Sequence, residues 1–549
     1  MPFIQNISPP PNDIRTFNIT TFYGGLNNVD DYVEMSETES SDLLNIDFFS
    51  DKGTVQKRKG YEQYGTFEVV DEPIIFLDEY KKINADSELI CATSTDLYID
   101  EVQVKTLTGH IRGVNFNGKY LYVDGDELYS YGIHPQSSSG TYISVVGTPT
   151  GSAQSLKVVL PGTYTPLPSP HVIGVTVYNY TLGTVTYQPC QYEVDDTFKG
   201  GSILCDTPKY IELKDGRVYI TGSTNDPHAV WISDVQNPYY FPFGVGVRLT
   251  PNGDEITCLR EFHNAIIVGR KDDVHAIYGN TNRTDYDSVA FKVSKINTHT
   301  GIASDRTCLR IYDFVFYLGS DGNFYTLNTP QTDVELMQTR KINKKVNLKK
   351  SPLSIDDSLY SSAVSVFRDD LYYTSIGDKI LVYSYIFQTW SVYDGFNARS
   401  FLYFDNELLF GADNGKIYKN GYGYNDDGVA IICYWQSKRY DMGFGSRVKK
   451  FKQMYFIAET YEDFKSGVSV DFEVDYALVE YDYDIKSEIS KWGRAIFGDR
   501  FIKWNISKSL PLSINRRGRL IRFIFGNDVL DETFKIFEIN GEFELRGYR

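Results

Sequence analysis

Phe116-Asn117-Gly118-Lys119-Tyr120-Leu121-Tyr122-Val123, then Asp124-Gly125-Asp126, then Leu128-Tyr129, is the stretch that decides the fold class. Two apolar, aromatic-rich runs flank an Asn-Gly step, and a Gly-Asp step leads into a third run. Asn-Gly and Asp-Gly steps supply the positive φ values that tight hairpins need. The unit is therefore a small antiparallel meander.

The same unit recurs along the chain. It appears as Asp215-Gly216-Arg217-Val218-Tyr219-Ile220 ending at Val230-Trp231-Ile232. It appears around Phe262-His263-Asn264 with Ile266-Ile267-Val268 and Ile277-Tyr278. It appears from Tyr312 to Leu318 with Ser320-Asp321-Gly322-Asn323 and Phe324-Tyr325, and again from Phe367 to Tyr373 with Ile380 to Tyr383. The last copy is Phe404-Asp405-Asn406 with Leu408-Leu409-Phe410, Asp413-Asn414-Gly415 and Ile417-Tyr418. A weaker first copy is Leu89 to Thr93 with Asp96-Leu97-Tyr98. About seven copies, mostly at a spacing of roughly 40 to 50 residues, match the period of β-propeller blades. A lone blade leaves apolar faces exposed, so stacking into a ring is the physical consequence.

The fold class read from this pattern is all-β: a β-propeller of about six to seven irregular blades, an inserted β subdomain and a C-terminal β-sandwich. The divisions are an N-terminal arm over 1–66, a propeller over 67–427 and a sandwich over 428–549. The insertion is placed at about 134–206, where the repeat spacing breaks between Tyr131 and Tyr210. The N-terminal arm is a candidate to complete a blade. In the last segment Val468, Val470, Phe472 and Val474 share one face, and Ile521, Phe523 and Phe525 repeat the period, with Trp435, Trp492 and Trp504 nearby. One stretch, Val334 to Lys350, has the marks of a helix, with Thr332-Asp333 as N-cap and Lys349-Lys350 at the C-terminal end.

Composition bounds the function. The 549 residues are 42% hydrophobic and 23% charged, which is globular rather than disordered. Tyr (43) and Phe (34) are abundant and Met (5) is scarce, which suits pleated sheet. No run approaches the ~18–20 apolar residues of a membrane span, so no stable membrane insertion is expected. Met1 to Pro11 has neither a basic n-region nor an apolar h-region, so no signal peptide is expected. Six well-separated Cys without a C-x-x-C read as reduced thiols of a protein made in a cytosol. The net charge is −17, from 55 Lys+Arg against 72 Asp+Glu. That balance excludes a nucleic-acid binder of the usual basic kind.

The chemistry-bearing residues have bland readings that outweigh the sharp ones. Asp124/Asp126, Asp272/Asp273, Asp369/Asp370 and Asp426/Asp427 are paired carboxylates of the kind glycosidases use, but each pair falls in an expected turn. Asp124-x-Asp126 lacks the rest of a calcium loop. The seven His form no H-x-H or H-E-x-x-H; His263 and His275 flank one hairpin without an evident third ligand. No G-x-S-x-G is present, and Gly443-x-Gly445 sits in a turn. Hence no catalytic, cofactor-binding or metal residue is assigned, no cofactor is called for, and the chain is not read as an enzyme. Basic clusters at Lys341, Lys344, Lys345, Lys349 and Lys350, at Arg447, Lys449, Lys450 and Lys452, and at Arg516, Arg517, Arg519 and Arg522 read as solvated faces or as docking points for acidic neighbours.

The N-terminal segment carries a resemblance. Tyr23-Gly24-Gly25-Leu26-Asn27-Asn28-Val29-Asp30 is followed by Ser41-Asp42-Leu43-Leu44-Asn45-Ile46-Asp47-Phe48, then Gly53 and Lys57-Arg58-Lys59-Gly60-Tyr61. Trp435-Gln436-Ser437-Lys438-Arg439-Tyr440-Asp441 and Ile539-Asn540-Gly541-Glu542-Phe543-Glu544 agree in outline. These stretches resemble the tail nozzle proteins of short-tailed bacteriophages, also called tail tubular protein B or phage stabilisation proteins. The resemblance implies a structural virion protein, assembled in the host cytoplasm, forming a homo-hexameric tube segment below the adaptor and portal ring. It implies the distal DNA channel, which retains the genome and opens for ejection, with tail fibres or spikes attaching nearby. Genomic DNA would pass through the lumen without sequence-specific binding, and an acidic wall repels phosphate and lets it slide. The alternatives are a propeller-type receptor-binding or baseplate protein and, behind it, a polysaccharide hydrolase.

Overall fold

A computed structural model describes residues 13–50, 53–82, 86–126, 128–133, 141–145, 157–159, 174–181, 184–191, 205, 207–233, 235, 238, 246–251, 254–279, 291–296, 298, 300–328, 337–459, 465–480, 482–484 and 507–546. Among them, seven antiparallel sheets follow one another as blades. Blade one spans 76–106, two 112–159, three 210–248, four 256–296, five 309–341 and six 364–394. Blade seven takes three strands from 398–422 and its fourth, Gly60–Glu68, from the N-terminal side. Each sequence copy corresponds to one blade, and the fold class read from the repeats is the one observed.

The turns explain why these residues make hairpins. Asn117–Gly118, Asp215–Gly216, Asp369–Asp370 and Asp405–Asn406 each have positive φ at both positions, the geometry whose twist matches paired strands. These first-hairpin turns of blades two, three, six and seven share one face of the ring, because every blade repeats the same course. The first-hairpin turns of blades four and five, at His263 and Tyr312, lie on it too.

An apolar seam joins every adjacent pair of blades. Tyr80, Tyr120 and Tyr131 lie between blades one and two, and Leu121 and Ile220 between two and three. Val230 and Ile266 lie between three and four, and Ile267 and Tyr317 between four and five. Phe316 and Tyr372 bridge five and six, Val382 and Phe410 six and seven. Leu409 and Leu77 close seven onto one. Each such side chain stabilises by about 1.5–3 kcal/mol relative to exposure, so seven seams hold the ring together.

The sandwich is woven from both ends of the chain. Its first sheet runs Ile46–Asp47, Val55–Lys57, Lys535–Leu545, Lys449–Glu459, Ser507–Gly518, with Asp13–Ile19 also paired to Lys535–Leu545. Its second runs Gly25–Leu26, Glu39–Leu44, Cys433–Ser437, Ile521–Asn527, Lys465–Val474, Ala477–Val479. The alternating residues Val468, Val470, Phe472 and Val474 are all buried, as are Ile521, Phe523 and Phe525. Segment 13–57 thus belongs to both sheets. Trp492 and Trp504 lie outside the described residues.

Two other expectations meet the structure. The insertion opens by adding Thr141–Val145 and Lys157–Val159 to blade two, and Gly174–Thr181 pairs with Thr184–Gln191 in a separate hairpin. The rest of 134–206 is outside the described residues apart from Cys205. The helix expected over 334–350 is absent from 337 onward. Gln338–Lys341 is the outer strand of blade five, paired with Tyr325 to Asn328, and turns follow. Sheet pairing overrides the local charge signal, and Asn343 organises the turn by accepting from Phe324 N at 3.0 Å and donating to Val346 O at 3.1 Å.

Candidate functional site

The stretches that carry the resemblance converge on the seam between the arm, the sandwich and blades five and six. Gly24 and Gly25 lie against backbone there. A Cβ on Gly24 would sit 2.6 Å from Thr38 backbone atoms. One on Gly25, whose φ is +69°, would sit 2.7 Å from Trp390 O. Only glycine lets the arm pass this close. Asn27 then folds the turn, accepting from Val29 N and Asp30 N and donating to Asp30 and Glu39. Asn28 and Asn347 exchange reciprocal bonds of 3.0 and 2.8 Å.

The basic run Lys57-Arg58 is interior. Lys57 is 2% exposed and donates to Asn527 Oδ1 at 2.8 Å and Val529 O at 3.1 Å. Arg58, also 2% exposed, uses all five of its N–H donors. Nε reaches Asn45 Oδ1 at 2.7 Å; Nη1 reaches Lys59 O at 3.0 Å and Asp426 Oδ1 at 2.9 Å; Nη2 reaches Asp394 O at 2.7 Å and Asp426 Oδ2 at 2.6 Å. Asn45, at φ +54°, also donates to Ile432 O and accepts from Asp394 N. One guanidinium therefore ties the arm to blade six and to the hairpin after blade seven.

A cleft of about 220 Å3 opens beside this seam, lined by Asn27, Asp30, Asp31, Lys438, Arg439 and Arg522 among others. Its positive groups have internal partners. Arg439 and Arg522 both pair with Glu473, and Lys438 Nζ donates to Met35 O at 2.7 Å. The cleft is an architectural joint in which the positive groups are already neutralised or hydrogen-bonded.

A second polar cluster crosses the centre of the ring. The 3-10 turn Asp305–Thr307 connects blades four and five. Asp305 makes a bidentate pair with Arg112 of blade two. Arg306 donates to Ile75 O before blade one and to Arg399 O of blade seven. Tyr372 of blade six donates to Thr307 O at 2.7 Å. Burial alone would raise the Asp305 pKa, but the charge and hydrogen bonds of Arg112 hold it well below the usual carboxylate range. The turn spans the middle of the ring, so the ring's own axis is occupied by protein at this level.

His110 lies beside that pair, with Tyr210 packed edge-on at 5.3 Å. Burial, then the charge of Arg112, push its pKa down to about 3, against the pull of Asp305 and with Arg306 and Lys209 adding to the push. The folded protein keeps this imidazole neutral while the unfolded chain protonates it below about 6.5, so stability rises with pH between those values. We expect His110 alone to account for about 2 kcal/mol lost between pH 6.5 and 5. Asp78, pushed up to about 6 by burial, works with the opposite sign, and His275, lowered by burial, with the same sign. The check is therefore a difference: urea unfolding of wild type and His110→Gln across this range, with the variant showing the shallower fall.

The other candidates from the sequence are placed as follows. Asp124 is buried against Lys105 and accepts from Asp126 N. Asp273 pairs with Arg270 inside blade four, Asp369 and Asp370 form a tight turn, and Asp426 belongs to Arg58. Asp321 caps its own turn through Asn323 and Tyr325. His263 and His275 stand toward opposite ends of one hairpin: His263 precedes Ala265, which pairs Tyr278, whereas His275 pairs Val268. Among the described residues no group of three His, Cys, Asp or Glu is placed to hold a metal ion, and no helix is long and apolar enough to cross a membrane. Lys345 pairs with Glu39 and Lys349 with Asp357, so part of the first basic cluster docks this chain's own arm. The sequence showed Asp426 only as one of a carboxylate pair and Asn45 only as part of the resemblance, since the partners of Glu39, Asn45 and Asp426 lie more than 300 residues away.

No family model and no curated protein matches this chain. Among solved structures it is similar to the WD40 domain of Neurospora crassa Pan2, at 10% identity and a TM-score of 0.28, covering 66% of this chain and 95% of that one. It is similar to the AfRom2 CNH domain, at 9% identity and 0.32, covering 66% and 98%. It is also similar to Chaetomium thermophilum Sqt1, at 10% identity and 0.33, covering 66% and 97%. At these TM-scores the likenesses carry no conclusion. The seven blades and the seam that closes the seventh onto the first make the chain a β-propeller protein.

Proposed function

We propose that the chain is a structural subunit of a short-tailed phage's tail nozzle, working in several copies around a DNA lumen beneath the adaptor and portal ring. The observation that supports this reading is where the resembling residues sit. Gly25, Asn27, Asn28, Asn45, Arg58 and Trp435 are buried, and Gly24 half-buried, at one joint, where they lock the sandwich to the propeller. Residues with that task belong to a load-transmitting subunit rather than to a catalytic centre. The protein-filled ring axis agrees, because a conduit for DNA then lies between copies and not through a single propeller. The net charge of −17 per copy suits a lumen that phosphate slides past.

The test is the mass of the purified protein by light scattering, with negative-stain images of the same sample and binding to a purified portal–adaptor complex. Six copies around a channel, or capture by the adaptor ring, is the expected result. A monomer or trimer that ignores the adaptor and adheres to host envelope instead would replace this reading with a second one, a propeller-type receptor-binding protein. The exposed Tyr312, Ile386 and Tyr403 on the blade faces favour that second reading.

A further inference from the structure

The outer corner of the first sandwich sheet breaks a pairing rule. Lys450, in the middle strand, lies directly opposite Arg517 on one side and Glu544 on the other. Like charges directly opposite in an antiparallel pair are destabilising. Glu544 does not relieve them, because it is buried and already serves Arg546 at 3.0 Å and Lys452 at 3.8 Å. Arg516 and Arg517 are exposed and, like Lys450, have no ion-pair partner among the described residues. Among the described residues Glu544 thus stands in a row with Lys450, Lys452, Arg517 and Arg546, with exposed Arg516 next to Arg517 on the edge strand, in a chain of net charge −17. An uncompensated basic corner on an acidic protein is a place for an anionic partner.

The complementary surface is on the same chain. Asp215, Asp313, Asp369 and Asp405 stand exposed in the first-hairpin turns of blades three, five, six and seven, on one face of the ring. Lys214 and Arg368 pair with Asp215 and Asp369, but Asp313 and Asp405 have no ion-pair partner among the described residues. Tyr312 beside them is 56% exposed, whereas the ring of Tyr403, 45% exposed, already carries Arg368 of this chain at 5.1 Å. Tyr312 is held ready, its hydroxyl donating to Asp370 at 2.7 Å and its ring braced by Phe367 and Tyr385 at 5.6 and 5.3 Å. A fixed aromatic face next to a carboxylate suits a guanidinium, through cation–π attraction and a charge-assisted hydrogen bond.

We propose that copies of this chain join head to tail, with the basic corner of one sandwich docked on the acidic, tyrosine-bearing blade face of the next. This rests on the several-copy reading above. Nucleic acid would occupy the basic corner alone and face the repulsion of the whole chain; a second copy uses both surfaces. A head-to-tail contact of two different patches closes into a ring when its rotation permits.

Sedimentation velocity tests the contact with three variants, each checked for native circular dichroism. Arg516→Glu/Arg517→Glu and Asp313→Lys/Asp405→Lys each leave one surface of the wrong sign, and both are expected to weaken self-association by roughly a hundredfold. Mixed together, the two variants meet with opposite charges at both surfaces and are expected to co-assemble. The chain carrying all four substitutions is expected to assemble again. A wild type that stays monomeric at its highest soluble concentration overturns the proposal, as does a mixture that does not co-assemble. So does duplex DNA retention that is lost in Arg516→Glu/Arg517→Glu while assembly is unchanged. A six-copy ring that persists in both variants overturns this contact and leaves the nozzle reading standing. A wild-type dimer or trimer that dissolves on charge reversal upholds the contact and removes the nozzle reading.

Discussion

Arg58→Ala is expected to cost about 3–5 kcal/mol of unfolding free energy, because it strands a buried carboxylate without its partner. Asp426 is 8% exposed and receives both of its charge-assisted bonds from this one guanidinium. Asn45 Oδ1 and Asp394 O each lose a donor in the same step. Asp426→Ala is expected to cost a similar amount for the mirror-image reason. Arg58→Lys keeps the charge but not the five-donor fork, so it recovers only part of the loss. Chemical denaturation of the two single variants and the double variant measures the coupling. A cost under about 1 kcal/mol for either single change would place the pair in the class of exposed ion pairs and contradict the buried joint. The unfolding midpoint is the readout that matters for function, since the same residue joins the propeller to the sandwich.

Trp435→Ala is expected to cost about 3–5 kcal/mol by opening a cavity in the core. Trp435 is fully buried in the second sandwich sheet. Phe22 of the arm meets its ring edge-on at 5.1 Å, and Phe525 stacks on it at 6.0 Å. The cavity therefore lies where the arm, the sheet and the blade-six seam share one apolar cluster. Relaxation is limited because the arm, the second sandwich sheet and blade six are tied to one another around the cluster. Trp435→Phe keeps the aromatic packing and is expected to cost less than about 1.5 kcal/mol. Thermal unfolding of the two variants checks both values; equal losses would mean that the indole volume is not what the site needs.

The repeat was legible because hairpin chemistry is local. An Asn-Gly step needs only its own φ values, and aromatic alternation needs only the strand on either side. All seven copies could therefore be marked by residue number before any contact was known. The carboxylate pairs were legible for the same reason, since Asp369 and Asp370 adopt positive φ whatever lies beyond the turn. The segment 334–350 misled because its signals, an Asp cap and a lysine-rich end, are equally local. Its outer-strand pairing with Tyr325 to Asn328 is not.

The Lys57-Arg58 run shows the same limit. As a sequence it is only a basic run within the resemblance; its burial comes from Asn527, Val529, Asp394 and Asp426, which are more than 300 residues away. The joint could not be seen from either side alone, because a guanidinium's environment is set by which carboxylate the fold delivers to it.

By itself the sequence determined the all-β class, the blade repeat, the tight turns and the alternating core of the sandwich, all of which depend on neighbours a few residues apart. Only the tertiary structure decided that Gly60–Glu68 closes the seventh blade, that both ends of the chain weave one sandwich, and that Asp305 and Arg306 fill the ring axis. Those outcomes are pairings between distant segments. Loop closure over hundreds of residues leaves no local trace, and its selection rests on the summed burial and hydrogen bonding of the finished fold.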